Sequence, residues 1–283
     1  MKIVIVEDAG YCFGVRNAVN LAFKAADEYG DVYMLGHIVH NESVIKDLED
    51  AGAKVVEVLD DIPKECPVLF RAHGTTDSLW RKAQQKEMNI IDATCPLVRE
   101  IHDEVKKLEA NDRHVIIIGD HGHDEVSGIA SQVKDSIVVA TPEEAQQLPK
   151  MKRAGVVCQS TQTIENVQVI IDVLITKVFD LQVVNTICFP TKRNQEQIKQ
   201  LASKSDLMII IGSFISANSK RLTQLSREIN PKTYQVNSVK DIDPAWFNGI
   251  EKVGISAGSS TPDYLIEEVK FKIEEISKSI AEV

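Results

Sequence analysis

Three cysteines occupy the same point in three similar segments. The segments read IVIVEDAGYCFGV, NIIDATCPLV and LQVVNTICFPT, and in each a short apolar strand runs through a turn of small or polar residues to Cys12, Cys95 or Cys188. A helix-like stretch follows each cysteine and leads to a second strand that closes on glycine: VYMLG at Gly36, VIIIG at Gly119 and MIIIG at Gly212. Each glycine stands 24 positions past its cysteine, so the chain carries an internal repeat of about 90 residues. A thiol at a helix start loses its proton readily, because the positive helix end favours the thiolate. Three such sulfurs suit a metal or iron–sulfur centre; zinc with three sulfurs and one open position suits the same donors. Cys66 and Cys158 have no counterpart in all three segments and read as small core hydrophobes.

Polar residues recur beyond each glycine, in HIVHNE, DHGHDE and SFISAN. Four positions past the glycine stand His40, His123 and Ser216, and six past it Glu42, Glu125 and Asn218. A third strand in each repeat also ends in small polar residues, in RAHGTT, CQSTQT and SAGSSTP. His40, His73 and His123, with Ser216, Asn218 and Ser260, form a set of neutral or cationic donors of the kind that holds a phosphate or diphosphate. Glu125 reads either as a surface carboxylate or as a proton donor at the strand mouth. The segment EIHDEVKKLE reads as a solvated helix face.

Positioning these groups requires strands alternating with helices, which predicts parallel βαβ units with the polar residues at the carboxyl ends of the strands. The fold expected is α/β, a pseudo-threefold trefoil of three α/β domains with mostly parallel sheets, their rims turned inward. The strand before each of Cys95 and Cys188 closes a unit, giving units at 14–95, 96–187 and 188–283. The last ends in a helix near Asp263 to Ile280, so its closing strand is expected from Lys2 to Val6, and residues 1–13 are assigned to it.

The chain has 283 residues, is 43% hydrophobic and 26% charged, and has only 14 Gly and 9 Pro, a balance that favours folding along the whole length. A net charge of −10 gives no general attraction to nucleic acid or to an anionic membrane, so neither is an expected partner. No apolar run approaches the roughly 18 residues of a membrane span, Glu7 and Asp8 break any signal-peptide pattern, and a cytoplasmic location is expected. There is no GxxxxGK[ST] and no strand followed by GxGxxG, which leaves P-loop and dinucleotide folds unsupported.

The motifs GYCFGV, GHIVHN, RAHG, DATCPLV, GHDEV, STQT, NTICFPTKRNQE, GSFISANSKRL and AGSSTPD together resemble the 4-hydroxy-3-methylbut-2-enyl diphosphate reductase family, also called LytB. They run in family order from residue 10 to beyond residue 260. The resemblance implies three α/β domains, each giving one cysteine to a central [4Fe–4S] cluster with one iron lacking a protein ligand. It implies removal of the allylic hydroxyl of a small diphosphate with two electrons and two protons, giving isopentenyl and dimethylallyl diphosphate in the last step of the non-mevalonate isoprenoid pathway. The electron donor implied is a ferredoxin or flavodoxin.

Position by position, the resemblance makes Cys12, Cys95 and Cys188 the cluster ligands. His40, His73, His123, Ser216, Asn218 and Ser260 become the diphosphate contacts, Glu125 the proton-supplying acid, and Thr163 the residue that orients the substrate hydroxyl and the acid. Two positions depart from the pattern. Ala217 stands where the family commonly has a second serine, which removes a hydrogen bond to phosphate. Asp124 stands where it commonly has proline, and its extra charge either raises the proton affinity of Glu125 or points into solvent. Two other functions fit the same residues: a zinc phosphoester hydrolase, and an iron–sulfur sensor or diphosphate-binding module that would not need Glu125.

Overall fold

The computed structural model describes residues 1–281, so the last two residues of the third expected unit lie outside it. In chain order the elements begin with β1 (Lys2–Ile5), α1 (Phe13–Tyr29), β2 (Val32–Leu35), α2 (Glu42–Asp50), β3 (Ala53–Val56), β4 (Val68–Phe70), α3 (Asp77–Gln85) and β5 (Ile90–Asp92). They continue with α4 (Pro96–Ala110), β6 (His114–Ile118), α5 (Asp124–Ala130), β7 (Ser136–Val139), α6 (Pro142–Gln147), β8 (Met151–Cys158), α7 (Ile164–Leu174) and β9 (Val178–Val183). The last are α8 (Phe189–Ala202), β10 (Leu207–Ile211), α9 (Ala217–Ile229), β11 (Thr233–Val236), β12 (Lys252–Ala257) and α10 (Asp263–Ala281).

The strands form three four-stranded sheets, ordered β3-β2-β4-β5, β7-β6-β8-β9 and β11-β10-β12-β1. Every pairing is parallel, and the three orders are one topology used three times. The repetition reaches single hydrogen bonds. Gly36, Gly119 and Gly212 each donate their N–H to the last valine of the neighbouring strand, Val56, Val139 and Val236, at 2.8, 3.1 and 2.9 Å. β1 pairs with β12 from Lys2 opposite Lys252 to Ile5 opposite Ile255, which places the chain's first strand beside its last. The edge strands β3, β7 and β11 have no counterpart in the sequence expectations.

By packing, the chain divides into two compact units. One comprises Met1–Val15, His40–Val44 and Phe189–Val283, and holds the sheet of β1, β10, β11 and β12; the other comprises Arg16–Val39 and Ile45–Cys188, and holds the other two sheets. In the first unit the alternation of strand side chains separates two cores. Ile209, Ile211, Val253 and Ile255 pack with Val269 and Ile273 of α10, while Met208 and Ile210 pack with Ile198 and Leu201 of α8 and Leu222 of α9. Both faces are covered, which is why LMIII reads as an unbroken apolar run rather than as an alternation.

The sheet of β6 to β9 is built likewise. Ile116, Ile118, Val156 and Cys158 face Val167, Ile170 and Leu174 of α7. On its other side Val115, Ile117 and Val157 meet Ile101, Val105 and Leu108 of α4. The segment EIHDEVKKLE, expected as a solvated face, is therefore half core. Its apolar residues fall at helical spacing on one side and its charges on the other. In the sheet of β2 to β5, Leu35, Val68 and Phe70 pack against Ala83 and Trp80 of α3, with Cys66 against the same cluster. Cys158 is fully buried and Cys66 is packed on a core.

Candidate active site

The three repeated cysteines sit at equivalent corners. The Cys12 N–H donates to the carbonyl of Ser259 at 3.3 Å, that of Cys95 to Ala72 at 3.0 Å, and that of Cys188 to Ser160 at 3.0 Å. In each case the cysteine follows the closing strand of its sheet and the acceptor lies on the loop after the strand beside it. A helix then starts. Cys12 Sγ accepts the N–H of Val15 at 3.5 Å in the first turn of α1, Cys95 caps α4 with Pro96 in the first turn, and Cys188 immediately precedes α8. The positive helix end favours the thiolate form of each sulfur, at Cys12 aided by the Val15 amide, and all three side chains are partly exposed. Soft anionic sulfur at an accessible corner is the donor chemistry of iron–sulfur ligation, and these residues fit such a group.

At the mouth of the sheet of β6 to β9, His123 caps α5 and its Nδ1 accepts the N–H of Glu125 at 3.1 Å. An accepting Nδ1 leaves the neutral ring's proton on Nε2, so the outer nitrogen is a donor. The ring of His73, on the loop after β4, meets that of His123 edge to face with centroids 5.7 Å apart. Glu125 is not a surface carboxylate. Only 2% of it is exposed, and its carboxylate accepts the Ser160 N–H at 2.5 Å and the Ser160 hydroxyl at 2.8 Å. Asp124 is paired with Arg71 at 2.7 Å, and its side chain is 31% exposed. Thr163 caps α7, its Oγ1 accepting the N–H of Asn166 at 3.2 Å, an arrangement that leaves its own O–H available as a donor.

At the mouth of the sheet of β10 to β12, Ser216 caps α9 by accepting the N–H of Ser219 at 3.3 Å. Asn218 is 6% exposed, its Nδ2 donates to Ser259 Oγ at 3.2 Å, and its Oδ1 has no partner. The Ser260 hydroxyl donates to the carbonyl of His40 at 3.3 Å, and that of Ser213 to Glu42 at 2.9 Å. Ala217 presents a methyl group in the first turn of α9, with no donor for an anion. An amide with one end fixed and the other unsatisfied is poised for a ligand: turned over, it accepts from Ser259 and offers its N–H groups to an anion.

Sequence reasoning missed Ser160 and Arg71 as parts of this chemistry. For Ser160 the signal lay in the repeat, since it occupies the loop position held by Ala72 and Ser259. For Arg71 the only sign was its place in RAHG. His121, on the loop after β6, is exposed and held by Glu144 at 2.9 Å. Burial, reinforced by nearby Lys106, pushes the pKa of His102 down to about 4; it lies under the loop at Gly74.

Three parallel sheets of one topology, each with a cysteine at the same corner and polar groups at its strand mouths, define a threefold-repeat α/β protein. The model of the LytB protein family matches residues 3–274. A 4-hydroxy-3-methylbut-2-enyl diphosphate reductase of Geotalea uraniireducens strain Rf4 is 41% identical over 279 residues, covering 98% of this chain and 99% of the relative. Among solved structures, one of (E)-4-hydroxy-3-methyl-but-2-enyl diphosphate reductase, the terminal enzyme of the non-mevalonate pathway, is 37% identical with a TM-score of 0.71. It covers 97% of this chain and 99% of that one. The E-1-hydroxy-2-methyl-but-2-enyl-4-diphosphate reductase of Plasmodium falciparum is 27% identical with a TM-score of 0.90, over 96% of this chain and 87% of that one. The chain belongs to the LytB family, a family of iron–sulfur enzymes.

Proposed function

We propose that this chain reduces 4-hydroxy-3-methylbut-2-enyl diphosphate at the end of the non-mevalonate pathway. The allylic C–O bond breaks, two electrons and two protons enter, and water leaves together with isopentenyl or dimethylallyl diphosphate. The observation that carries this reading is the cysteine corner repeated three times with the same backbone bond at the start of a helix. Family membership supports it.

Cys12, Cys95 and Cys188 are the ligands of a [4Fe–4S] cluster, three sulfurs for four irons, so that one iron has no protein ligand. When bound, such a cluster supplies electrons one at a time and a Lewis-acidic iron for the hydroxyl. The chain's own groups do the rest. A hydroxyl departs as water only if it is protonated, and Glu125 is the acid that brings the proton. Ser160 holds that carboxylate in place through its N–H and its hydroxyl. The Thr163 hydroxyl orients the substrate hydroxyl and the acid. His40, His73, His123, Ser216, Asn218 and Ser260 bind the diphosphate, a part of the substrate remote from the reacting carbon whose binding energy orients that carbon.

The electrons come from a ferredoxin or flavodoxin in the cytoplasm, a reducing compartment in which the thiolates keep their metal. No described helix is long and apolar enough to cross a membrane. We read the chain as three units, at 14–95, 96–187 and 188–283 together with 1–13, one around each sheet. Anaerobically purified protein should be brown, carry about four iron and four sulfide per chain, and convert the allylic alcohol diphosphate to the two isomeric products at two electrons each. A colourless protein with one zinc and phosphoesterase activity would refute the reading.

A further inference from the structure

Asp124 is the first residue of α5, directly between His123 and Glu125. Its Oδ2 meets Arg71 Nη1 at 2.7 Å, and the two side chains are 31% and 19% exposed, so the pair is largely shielded from water. The same nitrogen lies against Gly36 on the loop after β2; a Cβ there would stand 2.8 Å from it, and the backbone at φ +69 favours glycine in any case. The guanidinium is thus clasped between the β2 loop and the turn that opens α5. Two residues past Arg71 is His73, whose ring contacts His123 and whose carbonyl lies against Gly128 of α5, 3.6 Å from where a Cβ would stand. One ion pair therefore ties the loop bearing His73 to the turn bearing His123 and Glu125.

That turn needs a tether. α5 has seven residues, fewer than two full turns, and so short a helix has little stability of its own. We propose that Arg71 and Asp124 are positioning residues whose ion pair fixes the α5 turn and so keeps Glu125 seated on Ser160 and His123 presented toward the diphosphate. The backbone shows what else could do this job. His123 has φ −73 and ψ 135, the extended conformation that a residue preceding proline adopts, and the first position of a helix needs no N–H. A proline at 124 would hold the turn through its ring, where Asp124 holds it through Arg71. The inference rests on the reading of Glu125 as the acid.

The test compares Asp124→Asn, Arg71→Gln, their double variant and Asp124→Pro, with Glu125→Gln alongside. Losing a hydrogen bond between charged groups should lower kcat by about 10-fold in either single variant, with KM changed less. The double variant should be no worse than the poorer single, because one interaction is lost in all three. Asp124→Pro should return to within about threefold of the parent, since its ring replaces the tether. Hydrogen exchange of the peptide spanning residues 119–131, read on the metal-free chain, should quicken in Asp124→Asn and Arg71→Gln and stay at the parent rate in Asp124→Pro. Parent activity and exchange in both single variants, losses that multiply in the double variant, or an Asp124→Pro as impaired as Asp124→Asn would each overturn the proposal. An inactive Glu125→Gln beside fully active Asp124→Asn and Arg71→Gln rejects the tether alone. A fully active Glu125→Gln rejects the acid and the tether together.

Discussion

The mouths of two sheets place different chemistry on one framework. At each, a capping residue takes a helix amide, and the residue two positions on meets a serine from the loop that also receives a cysteine N–H: His123, Glu125 and Ser160 at one, Ser216, Asn218 and Ser259 at the other. At the first, the serine donates twice to a buried carboxylate. At the second, the serine takes one bond from an amide whose far end has no partner. A carboxylate held by two donors repels a diphosphate, so on the proposed reading it serves by taking up protons and passing them on. A neutral amide left half satisfied is completed by a ligand. On the proposed reading, one repeat yields a proton site and an anion site by exchanging Glu for Asn.

The largest effects should fall on what the mouths share, the cysteine corners. Serine at Cys12, Cys95 or Cys188 should abolish iron and sulfide retention after anaerobic purification. Serine at Cys66 or Cys158 should leave both near the parent level, and metal loss from either would show that the repeat had been misread. Next comes the proton site: Glu125→Gln keeps the shape and removes the acid, so single-turnover product formation should slow by about 10²-fold or more. At the anion site, Asn218→Ala should weaken substrate binding by about 1 to 3 kcal/mol, roughly 5- to 150-fold in Kd by calorimetry, with iron content unchanged.

The smallest effect on turnover belongs to the support beneath the proton site. His102 packs against the loop at Gly74 and against α5 at Gly128, and burial holds its pKa near 4. The folded protein therefore keeps this ring neutral while the unfolded chain takes up a proton below pH 6.5. Stability should fall as the pH drops from 6.5 toward 4, by an amount on the order of 2 to 3 kcal/mol, and then level off. Urea unfolding at pH 7 and pH 4.5 would measure that fall, and His102→Gln should flatten it while leaving turnover at pH 7 unchanged.

What the sequence made legible was whatever repeats or runs apolar. The 24-residue spacing located three cysteines and three glycines, and the runs VIIIG and MIIIG located central strands because both faces of those strands are buried. The edge strands β3, β7 and β11 escaped because each has four residues of mixed exposure and so gives neither a run nor a clear alternation. The donors at the strand mouths were legible as residue types, but their partners were not. Ser160 lies 35 positions from Glu125, and only the packing of α5 beside the loop after β8 brings them together. Asp124 was visible as a departure from pattern, yet its partner Arg71 belongs to a different sheet's loop. His102 was hidden in a helix whose many charges masked its buried stripe.

The division of labour between the two mouths is tested most directly by the affinity of Glu125→Gln for the allylic alcohol diphosphate, measured by anaerobic calorimetry on the cluster-loaded protein. Removing a negative charge near a polyanion, without touching its donors, should leave Kd unchanged or tighter. A Kd weakened by tenfold or more would show Glu125 to be part of the anion site and would contradict the separation of proton and phosphate chemistry drawn from these two mouths.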